Sequence, residues 1–559
     1  MEISNGLNHF LCNVAKGLAK PFEKNNEDEF LKYLDHPVHD SIELTEISTE
    51  EVRNQVNQLD DKKSAGHDSL TNKFIKLSLP FILTSLTFIL NTSQSRGVYP
   101  DHLKIAKCIP IYKKGKKDNP SNYRPISILS SINKIYEKIL YQKLEKHLTK
   151  FDVLYEHQYG FRQNHSTNQA LIEITDYLKT TLDNKKLACG IFLDLTKAFD
   201  TVDHGILLKK LNYYGIRGTV LNLLESYLTN RYQYVSLGEV KSSKRAIKYG
   251  VPQGSVLGPL LFLIYINDLA KCNSTGRIRI FADDTSGFVE GESINEIMTK
   301  SEHLMNNLNE WFMANKLSLS AEKSCFLVFR PPRSKVEKIP KKLNFGDKCI
   351  SNEKTVKYLG VTLDEHLNWN EHVENVCTSL KKCYGIFYGI KKYINTQQVR
   401  TIYYSLVYSK IIYALAAYGH TKRENIIKIQ TLQNKLLRIL AKKHYMYPTN
   451  RLHNELKILK VEDLVDQELL TFTFNFRNER LPPKFDNYFS FRSNLQKIQT
   501  RNIKNHMITP IARTNYGEQT VKVKGSLLWN QLPTSLSTLS NVKLFRKKWK
   551  STKLPYKEI

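Results

Sequence analysis

Apolar residues recur along this chain with the period of an amphipathic helix in several long stretches. Ser48 and Glu51 have the spacing of a capping box, which predicts a helix start at STEEVRNQV. The apolar residues that follow share one face of that helix: Val52, Val56 and Leu59. The same period predicts helices over residues 74–90, 130–148, 295–315 and 424–443.

Shorter apolar runs predict strands. ACGIFLDL is a β-type run that ends at Asp194, and the segment TKAFDTVDHGILLKKLNYYG after it predicts a helix. Residues 104–127 alternate around IPIY and predict a strand, a lysine-rich tip and a return strand. RIRIFA and SGFVE predict a hairpin around an acidic pair, and CFLVF and KYLGVTL predict further strands.

The two ends of the chain carry weaker patterns. Residues 1–44 mix apolar and charged residues and predict an irregular lead-in. Beyond Trp369 the pattern is mostly helical, whereas residues 446–559 are mixed and interrupted by proline, so they predict no particular fold.

The chain has 559 residues, enough for two to four domains, and a formal net charge of +29 from 83 Lys plus Arg against 54 Asp plus Glu. This excess suggests a polyanionic partner, with nucleic acid as the first candidate, an anionic membrane as the second and simple solubility as the alternative. The longest uninterrupted apolar run, residues 256–266, is too short to span a bilayer.

The eight cysteines are scattered without the spacing of a zinc site or of a disulfide framework. No compact apolar signal segment with a cleavage site is apparent at the N-terminus. We therefore expect an intracellular protein, in the nucleus or the cytoplasm.

Three aspartates lie where strands are predicted to end. Asp283 and Asp284 interrupt the apolar run IRIFADDTSGFVE, and Asp194 closes ACGIFLDL. Alone, the pair is also typical of a tight turn, and a lone strand-end acid often caps the next helix. Carboxylates brought together from separate strands are what divalent cations require for displacement at phosphate.

Two loops fit beside such a site. VPQGSVLGP has glycines that allow close backbone approach and prolines that stiffen it, although an ordinary helix-entry loop has the same composition. The basic strand tip could cover a triphosphate or could simply be solvated.

These residues resemble a known family. FLDLTKAFDTVDH, GVPQGSVLGP, FADDT, NKLSLSAEKS and YLG occur in the order of motifs A to E of reverse transcriptases. KSAGHDSL, NYRPISIL and QYGFRQNHSTNQAL resemble upstream blocks of non-LTR retrotransposon enzymes. LQNKLLRIL and LLWNQLP resemble the downstream region of jockey-like elements.

The resemblance implies an α+β right-hand polymerase fold with fingers and palm, a helical thumb and a mixed C-terminal region. The expected domains are an N-terminal extension over 1–60, fingers and palm over 61–365, a thumb over 366–445 and a C-terminal region of unknown fold over 446–559.

The resemblance also implies roles at the motif positions. Asp194 and Asp283 would be the main ligands of two Mg²⁺ ions, with Mn²⁺ as an alternative ion, and Asp284 the third catalytic carboxylate. Lys323 would protonate the leaving pyrophosphate.

The remaining motif positions would bind the nucleotide and the primer. Arg124, helped by Lys113, would hold the triphosphate, and Phe199 would crowd a ribose 2′-OH. Gln253 and Gly254 would contact the incoming nucleotide and the template pair. The primer grip would consist of Tyr358, Leu359 and Gly360.

The expected partners are an RNA template, a DNA primer or target and dNTPs, with no membrane. The first residues resemble the linker after an endonuclease domain, so we expect that domain to be missing and the chain to be a truncated element or fragment. The alternatives are a group II intron maturase-like protein and a catalytically silent, domesticated or fossil RNA-binding remnant.

Overall fold

The structure is a computed structural model that describes residues 1–19, 28–272, 275–334, 338–492 and 506–554. The strands are β1 Ile105–Tyr112, β2 Tyr123–Ile128, β3 Leu187–Leu193, β4 Arg231–Leu237, β5 Val240–Lys241, β6 Arg245–Ile247, β7 Arg277–Phe281, β8 Asp284–Gly291, β9 Cys325–Phe329, β10 Lys342–Phe345, β11 Lys348–Asn352, β12 Thr355–Tyr358 and β13 Val361–Asp364.

The helices lie before, between and after these strands in the chain. They are α1 Glu2–Ala19, α2 Thr49–Asn57, α3 Asn72–Arg96, α4 Ser131–Lys150, α5 Thr167–Asp183, α6 His204–Tyr213, α7 Gly218–Leu228, α8 Leu257–Ile266, α9 Ile294–Ala314, α10 Asn370–Lys381, α11 Cys383–Ile390, α12 Thr396–Tyr403, α13 Ser409–Ile412, α14 Leu415–Tyr418, α15 Arg423–Leu440, α16 Thr449–Leu456, α17 Val461–Arg477, α18 Asn515–Glu518, α19 Val521–Asn530, α20 Thr534–Ser537 and α21 Val542–Lys553. A π-helical turn, Tyr404–Tyr408, joins α12 to α13.

The larger sheet has the strand order β10-β11-β9-β3-β8-β7, with β3 antiparallel to both β8 and β9. Every residue of β3 is buried, and its side chains alternate between two hydrophobic cores. Cys189, Ile191 and Leu193 belong to the core that contains α9. Ala188 and Phe192 belong to the core that contains α5. Burial on both faces explains why this strand is apolar without alternation.

The smaller sheet has the order β2-β1-β4-β5, and β6 also pairs with β4. β1 and β2 are antiparallel, with Tyr112 opposite Tyr123. Lys113 N–H donates to the Asn122 carbonyl at 2.8 Å and begins the connection between the strands. The predicted strand, lysine-rich tip and return strand are therefore confirmed.

The N-terminal segment differs from the prediction, because α1 forms an 18-residue helix at the start of the segment that was expected to be irregular. α1 packs against β4 and β6 of the smaller sheet. Asn8 is fully buried there; its Nδ2 donates to the Ser243 carbonyl at 2.9 Å, and its Oδ1 accepts from Gln233 Nε2 at 3.1 Å. This tertiary contact stabilises a helix that the local sequence pattern does not predict.

The helix predicted immediately after Asp194 is also wrong in its first part. The chain makes only a short 3₁₀ turn, Ala198–Asp200, and the helix begins at His204 after the N-cap Asp203. The backbone between them bonds to a distant loop instead, since Phe199 O accepts from Val251 N–H at 2.9 Å and Val202 O accepts from Gly250 N–H at 2.8 Å. Backbone groups satisfied in this way do not continue a helix.

The other predicted elements are confirmed. The capping box is present, with Ser48 Oγ accepting from Glu51 N–H at 3.1 Å and Glu51 Oε2 accepting from Ser48 N–H at 2.8 Å. The long predicted helices correspond to α2, α3, α4, α9 and α15. KYLGVTL forms β12 and β13 with a turn inside the run.

Among the described helices, α3 is the one long and apolar enough to cross a bilayer, although only by length and composition. One face of α3 buries residues such as Ile75, Leu83 and Leu90 in the core, beside α2, α4 and α7. The opposite face exposes Phe74 and Phe81. Burial of one face is the behaviour of a helix in a globular domain.

The described helices after residue 446 share one hydrophobic core with α10–α15 and with α5. Charged residues of α5 bind backbone groups of this region directly. Asp176 accepts from the N–H groups of Val521 and Lys522 at 2.9 and 3.0 Å, and Asp183 accepts from Thr514 N–H at 2.6 Å. The C-terminal region therefore packs on the helix that underlies β3.

Candidate active site

Asp194 lies directly after β3, at the end of the central strand of the larger sheet. Its backbone is held by a distant segment, because its N–H donates to Ser324 Oγ at 3.1 Å and its carbonyl accepts from Ser320 N–H at 2.9 Å. The same segment brings Lys323 Nζ to 3.8 Å from Asp194 Oδ1. The predicted partners from motifs A and D are thus neighbours in the fold.

Asp283 and Asp284 lie at the turn between β7 and β8. Phe281 pairs with Asp284, so Ala282 and Asp283 form the turn, and Ala282 has the positive φ of 57°. β8 pairs with β3 so that Thr285 lies opposite Leu193. Because neighbouring residues on paired strands lie side by side, the three carboxylates meet at one edge of the sheet.

The electrostatics of this edge are unfavourable for three charged carboxylates. Burial raises the pKa of Asp284 to about 6, with the charges of Asp283 and Asp194 adding to the effect. Burial also raises the pKa of Asp283, to which the Asp194 charge adds, while Arg124 and Lys113 act in the opposite direction. Like charges that are held together disfavour ionisation.

The influence of Arg124 and Lys113 on Asp283 also locates the basic tip of the β1–β2 hairpin. Both side chains are exposed, and their positive charges partly offset the rise in the pKa of Asp283, which places them near the turn that carries it. The smaller sheet therefore presents cations to the acidic edge of the larger sheet, where an anionic ligand would lie between them.

The donor set at this edge suits a divalent cation, since oxygen ligands from carboxylates are the ones that Mg²⁺ takes. A cation would also relieve the repulsion that raises the pKa values of Asp283 and Asp284. Within the residues that the structure describes, no group of three or more His, Cys, Asp or Glu side chains is arranged so that it could hold a metal ion by itself. The residues fit a cation whose coordination is completed by substrate oxygens.

Phe199 lies beside this edge, in the short turn after β3. Its ring stacks on Phe262 of α8 with centroids 4.4 Å apart, and Phe161 lies edge-on to it at 6.1 Å. Its backbone carbonyl is fixed by Val251 N–H at 2.9 Å. The ring is half-buried, so part of it is packed and part of it remains accessible.

The loop with Gln253 and Gly254 is tied to both sheets. Gln253 Nε2 donates to Asp200 Oδ1 at 2.8 Å, and the Gln253 carbonyl accepts from Ser127 N–H at 2.8 Å. Gly254 has a φ of 120°, and a Cβ at this position would lie 2.5 Å from the Ser127 carbonyl oxygen. Glycine is therefore required for the loop to lie against β2.

The Tyr358-Leu359-Gly360 segment forms the turn between β12 and β13, with φ values of 43° at Leu359 and 81° at Gly360. Tyr358 is buried, and its hydroxyl lies 3.1 Å from Ser286 Oγ of β8. Tyr413 Oη donates to the Leu359 carbonyl at 2.6 Å. This turn thus rests on the strand that begins with Asp284.

Comparison with known proteins agrees with this arrangement. Residues 111–363 match the family model described as reverse transcriptase (RNA-dependent DNA polymerase). This segment is similar to a reverse-transcriptase domain. It runs from β1 into β13 and contains Asp194 and the Asp283-Asp284 turn, and the match implies a polymerase fold with palm and fingers.

The chain resembles RNA-directed DNA polymerases of transposons over about four-fifths of its length. It is 27% identical over 472 residues to the probable RNA-directed DNA polymerase from transposon BS of Drosophila melanogaster, covering 80% of this chain and 50% of that protein. It is 29% identical over 447 residues to the RNA-directed DNA polymerase from mobile element jockey of the same organism, covering 77% of this chain and 48% of that protein.

A third relative is the probable RNA-directed DNA polymerase from transposon X-element of Drosophila melanogaster, 26% identical over 79% of this chain and 49% of that protein. The chain therefore spans about half the length of the curated relatives that it matches. The resemblance to jockey-like, non-LTR retrotransposon enzymes is confirmed.

Two polar residues of the reverse-transcriptase domain were missed as contributors to this site. Asp200, which holds Gln253, is recognisable only once the loop is folded against it, although it belongs to the quoted motif FLDLTKAFDTVDH. Gln158 Oε1 accepts a hydrogen bond from Ala282 N–H at 3.0 Å, in the turn that carries Asp283. The block QYGFRQNHSTNQAL, which contains Gln158, was the available signal.

Proposed function

We propose that this chain is an RNA-directed DNA polymerase of a non-LTR retrotransposon, adding dNTPs to a primer 3′-OH on an RNA template. The observation that carries the proposal is the meeting of Asp194, Asp283 and Asp284 at one edge of the palm sheet. The matched domain and the names of the relatives support the same chemistry.

We assign Asp194, Asp283 and Asp284 as the residues that hold two Mg²⁺ ions, or Mn²⁺ in their place. Bound there, the ions would make the primer hydroxyl a better nucleophile and neutralise charge on the leaving oxygen. The carboxylates must be ionised to bind, and the raised pKa of Asp284 means that cation binding at this edge displaces protons.

The substrate contacts come from the surrounding elements. Arg124 and Lys113 at the basic tip bind the triphosphate, because they are the cations that face the acidic turn. Phe199 stands against the sugar and rejects a 2′-OH, since its ring is braced by Phe262 at 4.4 Å and cannot retreat without unpacking. Gln253 and Gly254 lie along the nascent base pair.

Lys323 is the proton donor for the leaving pyrophosphate in this proposal. Its side chain is 61% exposed and its Nζ lies 3.8 Å from Asp194, so it is free to swing toward a phosphate. Tyr358, Leu359 and Gly360 hold the primer end, because their turn rests on β8 and projects beside the catalytic edge.

The nucleic acid lies against a strongly basic protein, and the RNA template and DNA primer are its partners in this proposal. The formal net charge of +29 favours association with a phosphate backbone. The described helices of 366–445 serve as the thumb and those after 446 as its support on α5. The eight cysteines are all free, which suits a reducing intracellular compartment.

The experiment that tests the proposal is primer extension with purified chain, an RNA template annealed to a DNA primer, Mg²⁺ and dNTPs. Asp283→Asn serves as the inactive variant, and binding of the RNA–DNA duplex is measured for both proteins. We expect extension by the wild type alone and similar duplex binding by both. Tight RNA binding without extension by the wild type would favour a silent RNA-binding remnant instead.

A further inference from the structure

A short segment of the fingers runs beside the outer strand of the palm sheet. Residues 157–160 flank β7: His157 O accepts from Ile280 N–H at 3.1 Å, and Tyr159 N–H donates to Ile280 O at 2.9 Å. This parallel bridge lies two residues before the turn that carries Asp283. The segment is therefore the neighbour of the catalytic turn on the side away from β8.

Gln158 reaches from this segment into the turn. Its side chain is almost fully buried, and its Oε1 accepts from Gly160 N–H at 2.8 Å and from Ala282 N–H at 3.0 Å. Two N–H donors on one atom fix the orientation of the amide, because only the oxygen accepts. The Oε1 atom of Gln158 thus binds the backbone of its own segment and the backbone of the turn after β7.

Ala282 requires such support because its backbone is strained. Its φ of 57° lies in the left-handed region, which an L-residue with a Cβ adopts only at a cost of about 1–2 kcal/mol. The next residue is Asp283, so any relaxation of Ala282 would re-aim that carboxylate. Strain of this kind persists where the surroundings determine the conformation.

Gly160 makes the contact sterically feasible. A Cβ on residue 160 would lie 2.3 Å from Ala282 N, which is far inside van der Waals contact. The absence of a side chain lets the two backbones approach until Gln158 bridges them.

A buried ionic cluster anchors the segment to the palm. Glu173 of α5 lies 2.7 Å from Arg279 Nη2 of β7 and 2.9 Å from His157 Nδ1, and it accepts from Tyr159 Oη at 2.6 Å. These contacts bind α5, β7 and the 157–160 segment to one carboxylate, so Gln158 is attached to a rigid base.

We infer that Gln158 is a positioning residue for Asp283: its Oε1 holds Ala282 in the left-handed conformation that aims the catalytic carboxylate. The inference rests on the proposed polymerase function and deepens it. Gln158 itself touches neither substrate nor metal; it acts through the Ala282 N–H group.

The first test compares Gln158→Leu with the matched variant Gln94→Leu, which removes the buried amide of α3 that donates to the Thr45 carbonyl at 2.9 Å. Gln158→Leu should lower kcat for dNTP incorporation roughly 100-fold, as for a misplaced catalytic group, while KM for dNTP and duplex affinity stay within about twofold. Gln94→Leu should leave kcat unchanged. Equal kcat values for the two variants would overturn the inference.

Rescue separates positioning from general loss of packing. Glycine adopts a positive φ without steric cost, so Ala282→Gly should restore about tenfold of the lost kcat in the Gln158→Leu background. Ala282→Gly in the otherwise wild-type chain is measured alongside, as the reference for the double variant. No recovery in the double variant would show that Gln158 does not act through the conformation of Ala282.

Hydrogen exchange of the Ala282 amide gives a readout that needs no activity. The amide should exchange at least about tenfold faster in Gln158→Leu than in the wild type, with no such change in Gln94→Leu. Unchanged exchange in an active enzyme would refute the inference and leave the polymerase function standing. A different result is faster exchange in Gln158→Leu together with a wild type that shows no Asp283-dependent primer extension. That result would refute the polymerase function, but it would still establish the hydrogen bond between Gln158 and the turn.

Discussion

Replacing Asp284 with asparagine should make the metal-free protein more stable while abolishing polymerisation. Burial and the neighbouring charges of Asp283 and Asp194 raise the pKa of Asp284 from 3.8 to about 6. A carboxyl with a raised pKa in the folded state destabilises the fold whenever it is ionised. Asp284→Asn removes that charge and the repulsion with it.

The magnitude follows from the size of the shift. A change from 3.8 to about 6 corresponds to about 3 kcal/mol for a fully desolvated group. The carboxyl of Asp284 is desolvated by its neighbours, but the residue keeps contact with solvent, so solvent screening reduces the expected gain to about 1 kcal/mol. For a chain of this length such a gain raises Tm by roughly 1 °C.

The pH dependence has a definite sign. The folded state binds the Asp284 proton more tightly than the unfolded state, so the penalty is complete above about pH 6 and disappears as pH falls to 3.8. The stabilisation by Asp284→Asn should therefore be full at pH 7.5 and fall to about half at pH 5.

The assay is differential scanning calorimetry in the presence of a chelator at both pH values. Asp347→Asn, at the exposed turn between β10 and β11, is the matched control and should leave Tm unchanged. Adding Mg²⁺ should raise Tm of the wild type more than that of Asp284→Asn. A Tm for Asp284→Asn equal to or below that of the wild type at pH 7.5, or a gain independent of pH, would refute the electrostatic reasoning.

Three further outcomes are expected. Phe199→Ala should lower the preference for dNTPs over rNTPs about tenfold in kcat/KM, and unchanged sugar selectivity would contradict the steric role. Gly254→Ala should reduce the free energy of unfolding in urea by about 1–3 kcal/mol, because its Cβ would meet the Ser127 carbonyl, whereas Gly6→Ala, with open space around it, should not destabilise. The Kd for an RNA–DNA duplex should rise at least about 10³-fold between 50 and 200 mM salt, and a flat response would remove the polyanion argument.

The acidic edge of the larger sheet could be predicted from sequence because the elements that form it follow local patterns. A buried strand that ends at Asp194 and a hairpin with a two-residue turn at Asp283 are recognisable from short runs of residues. The same is true of the capping box at Ser48, whose partners lie three residues apart. Local spacing carries this information, and no distant contact is needed to read it.

The parts that could not be predicted depend on contacts between distant segments. The backbone after Asp194 forms hydrogen bonds with Gly250 and Val251. For this reason the segment does not become helical before His204, although its sequence pattern is helical. The bond from Ala282 to Gln158 joins residues 124 positions apart. Neither position has a local pattern that reveals its partner.

The packing of the C-terminal region on α5 has a consequence for biosynthesis. Asp176 accepts a hydrogen bond from Val521 N–H, which is synthesised 345 residues later. Lys179 donates to the Gln519 carbonyl, which is synthesised 340 residues later. At roughly 5–20 residues per second, the ribosome leaves these side chains without their final partners for on the order of 20–70 s. During that interval a nascent palm exposes charged groups and an apolar helix face together. The final packing of α5 therefore requires that translation has passed Lys522, and a chain that stops earlier would leave this face of α5 uncovered.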